Sequence, residues 1–258
     1  MKIHSMKFIL PFFVFVISIL TISFSYKKIK KGQLSNQPGF ALVELFTSEG
    51  CSSCPPADEA LQEIQKKYND KNVLVLAYHV DYWDRLGWKD IFSNALFTER
   101  QEYYSDIFRL NSIYTPQSIV NGEKEFTGSN KNKLISSIDE QLNEKPAASI
   151  KLKTDPGNSG KIELSYSTEG SNSKDEQLIL LLVQKMATNK IKHGENEGRT
   201  LHHINIVREI SYLPVSIKEA TTTFNLPPEL KKEDFFVAGI IQDKKSGKIK
   251  AIESSSIQ

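Results

Sequence analysis

The chain has 258 residues and contains two cysteines, Cys51 and Cys54, whose spacing is the first sign of chemistry. A Cys-x-x-Cys pair brings two sulfur atoms within disulfide reach, and a helix N-terminus stabilises a thiolate through its free N–H groups and its dipole. Three uses are open: thiol–disulfide exchange, an inert structural disulfide, and metal ligation. Zinc usually requires a second pair of such ligands, which the sequence lacks, whereas a linear Cu(I) site needs only two thiolates.

The residues on either side of the pair predict a strand before it and a helix after it. Residues 42–46 form a short apolar run, and Pro55 and Pro56 follow the second cysteine. Because neither proline has a backbone N–H, the helix is expected to begin with a proline at its first position and Cys54 near the N-cap. Cys51 then lies in the preceding loop as the exposed nucleophile, and Cys54 resolves the mixed disulfide.

The rest of the first half alternates helical and strand patterns. Residues 73–80 are a near-continuous apolar run, typical of a parallel strand covered on both faces. Asn121-Gly122 predicts a tight hairpin turn. Apolar residues at helical spacing predict three helices, the first carrying Ala57, Ala60, Leu61, Ile64 and Tyr68, the second Phe92, Leu96, Tyr103 and Ile107, and the third Leu134, Ile135, Ile138 and Leu142. The order predicts an α/β domain over residues 40–145.

This order of elements, with Thr115-Pro116 ahead of the hairpin, resembles the thioredoxin superfamily. The segment 48–58, SEGCSSCPPAD, is similar to a family of secreted, thioredoxin-like bacterial proteins of unknown function, and the segments 79–84, 86–88, 114–117 and 194–196 match it too. The resemblance implies a cis bond before Pro116, with Thr115 facing the cysteines and pairing with the backbone of a substrate. It also implies a buried acid in the first strand that relays a proton to Cys54, and Glu44 resembles that acid.

Three candidate residues keep alternative roles. Glu44 acts as the general base for Cys54, or pairs with a nearby lysine or hydroxyl at the end of the sheet. His79 closes the second strand at the edge where Cys51 must lie, so it stabilises the thiolate, joins both cysteines in a Cu(I) site, or is a hydrogen-bonded structural residue. Trp83 lines a groove for a peptide or anchors its loop to the core.

The second half reads differently, because the helical period disappears after residue 146. Seven strands are predicted over residues 149–153, 161–166, 177–184, 200–210, 220–226, 235–242 and 249–253. Short strands at this spacing suggest an antiparallel β-sandwich over residues 146–258. His202 and His203 are adjacent in a strand and point to opposite faces, so they are poor candidates for sharing one metal ion.

The loop 193–199 is the densest polar stretch of this half. We expect it to pack on the first domain near the cysteines or Trp83, with Arg199 paired to Asp81 or Asp84. The alternative is an ordinary solvated hairpin.

The N-terminus predicts export. Lys2 and Lys7 precede an apolar run over residues 8–24. This pattern indicates a secretory signal over residues 1–25, and the alternative is an uncleaved membrane anchor. Residues 26–39 are polar and basic and are interpreted as a linker. The formal net charge of +2 gives no electrostatic reason to expect a nucleic-acid partner.

The sequence therefore predicts an exported, periplasmic or secreted thiol–disulfide oxidoreductase that needs no cofactor. Its expected partners are a protein that carries a thiol or a disulfide, or a small thiol. The alternatives are a Cu(I) chaperone that uses Cys51, Cys54 and His79, and a binding protein in which the cysteines form only a structural bond.

Overall fold

The computed structural model describes residues 37–155, 160–171 and 173–257, and within them the chain is a mixed α/β protein. Its helices are α1 (Pro55–Lys67), α2 (Ala95–Phe108) and α3 (Lys131–Gln141). Its strands are β1 (Ala41–Thr47), β2 (Val73–His79), β3 (Gln117–Val120), β4 (Lys124–Thr127), β5 (Ser149–Asp155), β6 (Lys161–Glu169), β7 (Glu176–Lys190), β8 (Thr200–Pro214), β9 (Glu219–Asn225), β10 (Phe235–Asp243) and β11 (Ile249–Ser256).

The predicted signal or anchor segment, residues 1–25, and most of the predicted linker lie outside the described residues. In the part of the chain that the structure describes, no helix combines the length and apolar character needed to cross a bilayer.

Eight strands form one large, mostly antiparallel sheet in the order β11–β10–β7–β8–β2–β1–β3–β4. Strands β1 and β2 run parallel, and β8 lies parallel to β2 where Ile206 pairs with Ala77. The remaining strands, β5, β6 and β9, form a separate antiparallel sheet. The large sheet therefore joins strands from both sides of the boundary that the sequence suggests near residue 146.

Strand β7 explains why the two halves share a sheet. Its residues Ile179, Leu181 and Val183 belong to the same core as Phe46 and Tyr104 of the first half. The alternate residues of the strand pack instead against the three-stranded sheet, and they are Leu178, Leu180 and Leu182. A strand that is apolar on both faces needs cover on both. Here one face meets the small sheet and the other the core that α2 completes.

Helix α2 differs from its sequence prediction. It begins at Ala95, with the Asn94 side chain accepting a hydrogen bond from the Leu96 N–H, so Phe92 lies before the helix. Leu96 is exposed, whereas the buried residues of the helix are Phe97, Arg100, Gln101 and Tyr104. The apolar period predicted the wrong face because this helix buries two long polar side chains that find partners inside the protein.

Two local predictions, and one that the resemblance implies, are confirmed. Helix α1 starts at Pro55 with Cys54 as its N-cap, and it buries Ala57, Ala60, Leu61 and Ile64. The hairpin between β3 and β4 turns at Asn121 and Gly122, which both adopt positive φ. The peptide bond before Pro116 is cis, as the resemblance implies.

Candidate functional site

Cys51 and Cys54 form a disulfide at the start of α1, with their Cα atoms 5.4 Å apart. The Cys54 carbonyl accepts hydrogen bonds from the N–H groups of Ala57 and Asp58, at 2.8 and 3.1 Å, and thus opens the helix. Cys51 lies in the loop ahead of it, as the two prolines predict. The arrangement places both cysteines at the positive end of the α1 dipole, which favours a thiolate. No N–H group of the first turn is free for a sulfur, because Pro55 and Pro56 have none and those of Ala57 and Asp58 bond the Cys54 carbonyl.

The expected exposure of Cys51 is wrong. Both cysteines are 0% exposed, although Ser52 and Ser53 between them face solvent. The cover comes in part from residues 191–199, the connection between β7 and β8, which we call the cap loop. The approach of this loop, about 140 positions away in sequence, was expected, but the complete burial of both cysteines was not.

The cap loop docks on the cysteine segment, as the sequence suggested. The buried Asn196 donates from Nδ2 to the carbonyl oxygens of Glu49 and Cys51, at 2.8 and 3.0 Å. The exposed Glu195 accepts from the Ser52 N–H at 3.0 Å. Hydrogen bonds from the side chain and the backbone of Ser52 lower the pKa of the Glu195 carboxyl. Two side chains of the second half thus bracket the disulfide.

Arg199 does not make the ion pair that the sequence predicted. Its guanidinium donates to Asn196 Oδ1 at 2.9 Å, inside the cap loop, and so orients the amide that holds Cys51. Asp84 instead accepts bonds from the Asp90 N–H and the Ser93 hydroxyl, and Asp81 from Thr98. In place of the expected charge contact, the backbone of the cap loop packs closely on the first half at Gly194. A Cβ added to Gly194 would lie 3.2 Å from the Trp88 Cβ.

The predicted role of Glu44 as proton relay is wrong. Successive strand residues face opposite sides of a sheet, so Glu44 points toward α2, away from α1. It is fully buried there and pairs with Arg100 at 2.7 Å, while the Tyr104 hydroxyl donates to its other oxygen. The alternative, a structural partner for this acid, is the one that the structure supports, with arginine and tyrosine in place of lysine.

A second group of buried polar residues lies beyond the carboxyl ends of β1 and β2, next to the disulfide. We call it the acid–imidazole cluster, and its members are Glu49, Asp58, His79, Asp90 and His203. His203 approaches Glu49 Oε1 with Nε2 at 3.3 Å and Asp58 Oδ2 with Nδ1 at 3.9 Å. The rings of His79 and His203 meet edge to face, 4.8 Å between centroids. The cluster joins residues of both halves around Cys51 and Cys54.

Burial shapes the electrostatics of this cluster. It raises the pKa of Asp58 to about 7, against the smaller opposing effects of His203 and of a long hydrogen bond from Thr47. Asp90 behaves in the opposite way. Burial alone would raise its pKa, but His79 and hydrogen bonds from the backbone of Glu49 and Phe92 lower it. One carboxyl is therefore poised to exchange a proton near neutral pH, and the other stays ionised.

Glu49 is the best-anchored member of the cluster. The Trp88 indole donates to its Oε2 at 2.8 Å, and Asn189 Nδ2 lies 3.0 and 3.1 Å from its two oxygens. His79 is a buried structural residue in the sense that Nδ1 pairs with Asp90 at 2.7 Å. Its Nε2 and the Nδ1 of His203 make no hydrogen bond to any described residue.

Trp83 links the predicted substrate loop to the cysteine segment. Its indole N–H donates to Thr115 Oγ1 at 2.8 Å, and its Cβ would lie 3.2 Å from a Cβ placed on Gly50. Pro116 is buried near Ala57, since a Cβ on Gly128 would contact both. The Trp83 side chain packs against the core, so it anchors its loop as one of the two predictions has it. The same side chain lies between Thr115 and the cysteine loop.

Sequence reasoning missed the acids Glu49, Asp58 and Asp90 and the amides Asn189 and Asn196. The available signal was the position of two acids around the cysteines, at 49 and 58, within the segment 48–58. His202 and His203 do face opposite ways, as predicted, with His202 exposed and His203 buried. Within residues 37–155, 160–171 and 173–257, no group of three or more His, Cys, Asp or Glu side chains is arranged to hold a metal ion.

The model of a family described as "protein of unknown function (DUF1223)" matches residues 42–242. The chain belongs to the DUF1223 family. The matched span includes the cysteines, the acid–imidazole cluster and the cap loop.

Solved structures include a protein that matches most of this chain. Protein AGR_C_4864 from Agrobacterium tumefaciens is 28% identical, with a TM-score of 0.59 over 85% of this chain and 94% of that chain. A domain of the outer membrane lipoprotein Omp28 from Porphyromonas gingivalis is 12% identical over 44% of this chain and 89% of that chain, with a TM-score of 0.29. No curated protein sequence matches.

Proposed function

We propose that this DUF1223 protein is an exported thiol–disulfide oxidoreductase whose first half, residues 40–145, is thioredoxin-like. The observation that carries the proposal is the Cys51–Cys54 disulfide at the N-terminus of α1, beside buried groups that can exchange protons. The order β1, cysteines, α1, β2, α2, β3–β4 hairpin, α3 supports it. The substrates are proteins that carry a thiol or disulfide, or small thiols.

The chemistry follows from thiolate exchange. A substrate thiolate attacks Cys51 Sγ, the bond to Cys54 breaks, and a mixed disulfide forms while Cys54 leaves as a thiolate. A second substrate thiolate then attacks the substrate sulfur of the mixed disulfide and releases Cys51. The substrate is oxidised by two electrons and the cysteine pair is reduced. The dipole of α1 favours the thiolates in both steps.

The cap loop makes access conditional. Because both sulfurs are shielded from solvent, a substrate reaches Cys51 only when Asn196 and Glu195 release the cysteine segment. A covered site of this kind discriminates among disulfides and thiols that an open one would exchange without selection.

The test is a redox titration of the purified protein in glutathione buffers. A potential above about −270 mV supports an exchange catalyst, and a value below about −300 mV marks a structural bond. In insulin reduction, Cys51→Ser should abolish turnover, whereas Cys54→Ser should trap a mixed disulfide with the substrate. If neither variant alters insulin or glutathione exchange, the proposal fails.

One observation favours a second candidate, a structural disulfide. The complete burial of both cysteines and the bonds from Asn196 suit a staple that holds the cap loop in place. The low potential described above, together with loss of stability on reduction, supports this candidate. Cu(I) ligation by Cys51 and Cys54 stays a prediction from the sequence. Micromolar or weaker Cu(I) binding by the reduced protein would contradict it.

A further inference from the structure

Exchange at the disulfide requires Cys54 to gain and lose a proton in a place that solvent does not reach. Cys54 is fully buried, and it attacks a mixed disulfide only as a thiolate. A free cysteine has a pKa of about 8.5, and burial in apolar surroundings raises it further. The reaction therefore needs a neighbouring group that takes this proton.

Asp58 is placed to be that group. The Cys54 carbonyl accepts the Asp58 N–H, so the two residues stand one helical turn apart on the buried side of α1. Side chains at this spacing lie on the same helix face, with Cβ atoms about 5–6 Å apart. The Asp58 carboxyl is poorly satisfied, since its hydrogen bond from Thr47 Oγ1 is 3.4 Å long.

His203 completes the arrangement from the other half of the chain. Its Nε2 faces the anchored Glu49, which is an acceptor, so the ring N–H lies on that side. Nδ1 then presents a lone pair toward Asp58 at 3.9 Å and has no other partner among the described residues. A proton held by Asp58 thus faces an acceptor nitrogen of His203.

The other titratable groups that face Asp58 come from neighbouring elements. Asp90, from the loop before α2, and Glu49, from the loop after β1, both favour the protonated form of Asp58. His79, at the end of β2, is engaged with Asp90. Glu195 of the cap loop lies on the solvent side of the disulfide and bonds Ser52.

We propose that Asp58, held against His203 and Glu49, is the proton acceptor for Cys54. The inference rests on the proposed function. When the cysteine pair is oxidised and the substrate reduced, the Cys54 S–H gives its proton to the Asp58 carboxylate. The Cys54 thiolate then attacks Cys51 of the mixed disulfide, the new S–S bond forms, and the substrate leaves as a thiolate. In the reducing direction Asp58 returns the proton to Cys54.

The experiment uses the full-length protein with both cysteines reduced, and it measures how fast Cys54 attacks a mixed disulfide formed at Cys51. Ellman's reagent reacts first at Cys51, and Cys54 then releases a second thionitrobenzoate at a rate independent of reagent concentration. Asp58→Asn should slow this second release about 100-fold below pH 8. The difference should shrink as pH rises past the pKa of the Cys54 thiol, which burial holds above about 8.5, because the thiol then ionises without the help of Asp58. A purely structural defect would persist at every pH.

Two further variants make the test decisive. Glu63→Gln removes an exposed carboxylate from the same helix and should match the wild type. His203→Gln should move the midpoint of the pH profile upward, because the nearby imidazole lowers the pKa of Asp58, and it carries the test if Asp58→Asn does not fold. Superimposable profiles for wild type and the folded variants overturn the inference. If the wild type itself shows no second release, the oxidoreductase proposal falls, and this inference falls with it.

Discussion

Two clusters of buried polar residues lie close to strand β1, and they differ in how completely their groups are satisfied. In the first, which we call the ion-pair cluster, Arg100 bonds Glu44, Tyr104 and Gln242, and the Tyr104 hydroxyl also bonds Glu44 and Gln242. In the acid–imidazole cluster, His203 reaches its acids at 3.3 and 3.9 Å, and two ring nitrogens have no partner among the described residues.

The two clusters also differ in whether their charges are fixed. In the ion-pair cluster, burial would lower the pKa of Arg100, but Glu44 raises it well above the ordinary value, so the charges are fixed. In the acid–imidazole cluster the pKa of Asp58 is raised to about 7, so its proton can move at physiological pH. Burial of an acid is common to both clusters. Only the acid–imidazole cluster, of these two, holds an incompletely hydrogen-bonded acid next to the disulfide, and that acid is Asp58.

The largest effect should come from breaking the ion-pair cluster. Glu44→Gln leaves Arg100 buried and charged, since arginine cannot release its proton, and should lower the free energy of unfolding by about 3–5 kcal/mol. Urea denaturation measures the change. Glu63→Gln, which breaks the exposed pair with Lys131, should cost less than about 1 kcal/mol. Redox activity per folded molecule should survive Glu44→Gln, and its loss would contradict the division between the clusters.

Asp58→Asn should raise the free energy of unfolding, by an amount that depends on pH. The folded pKa of Asp58, about 7, exceeds the ordinary value of 3.8. Folding therefore favours the protonated acid, and the wild type loses stability as pH rises through this window. The variant escapes that loss, so its advantage should grow between pH 4 and 7, toward a limit on the order of 4 kcal/mol, and then level off. Urea midpoints at several pH values check this, and an advantage that shrinks with pH would contradict it.

Asn196→Ala should open the route to the disulfide. Loss of both bonds from its amide to the Glu49 and Cys51 carbonyls removes about 1–2 kcal/mol from docking of the cap loop. Reduction by a phosphine reductant should then accelerate on the order of ten-fold. Asn143→Ala removes one exposed amide bond in the turn after α3 and provides the control. Equal reduction rates for both variants would mean that the cap loop does not limit access.

The smallest effect is expected at Glu195. The hydrogen bond from Ser52 lowers the pKa of its carboxyl below the ordinary 4.5, so the contact is present above that pH and is lost as the acid protonates below it. Glu195→Gln should change the reduction rate within about two-fold, because the contact is exposed. The ratio of variant to wild-type rates should approach one as pH falls below the lowered pKa of this carboxyl. A ratio that does not depend on pH would assign no role to the charge.

Local sequence rules worked where the cause is local. Two prolines set the start of α1 and so fixed Cys54 at its N-cap. Asn121 and Gly122 tolerate positive φ and form the predicted turn. The alternation of a strand separated His202 from His203.

The rules failed where partners come from far along the chain. The apolar period misplaced the buried face of α2, because Arg100 and Gln101 are buried by distant acceptors. The resemblance to thioredoxins implied that Glu44 relays a proton to Cys54. A sheet has two faces, however, and the side chain lies on the one away from α1.

The sequence by itself thus determined the cysteine pair, the elements that carry it and the dense polar loop of the second half. Only the tertiary structure decided which acid stands beside the cysteines and whether solvent reaches them. The pairing of β8 with β2 brings His203 to Asp58 and Asn196 to Cys51, across about 145 residues of chain. Such contacts depend on strand order in the sheet, which no local pattern encodes.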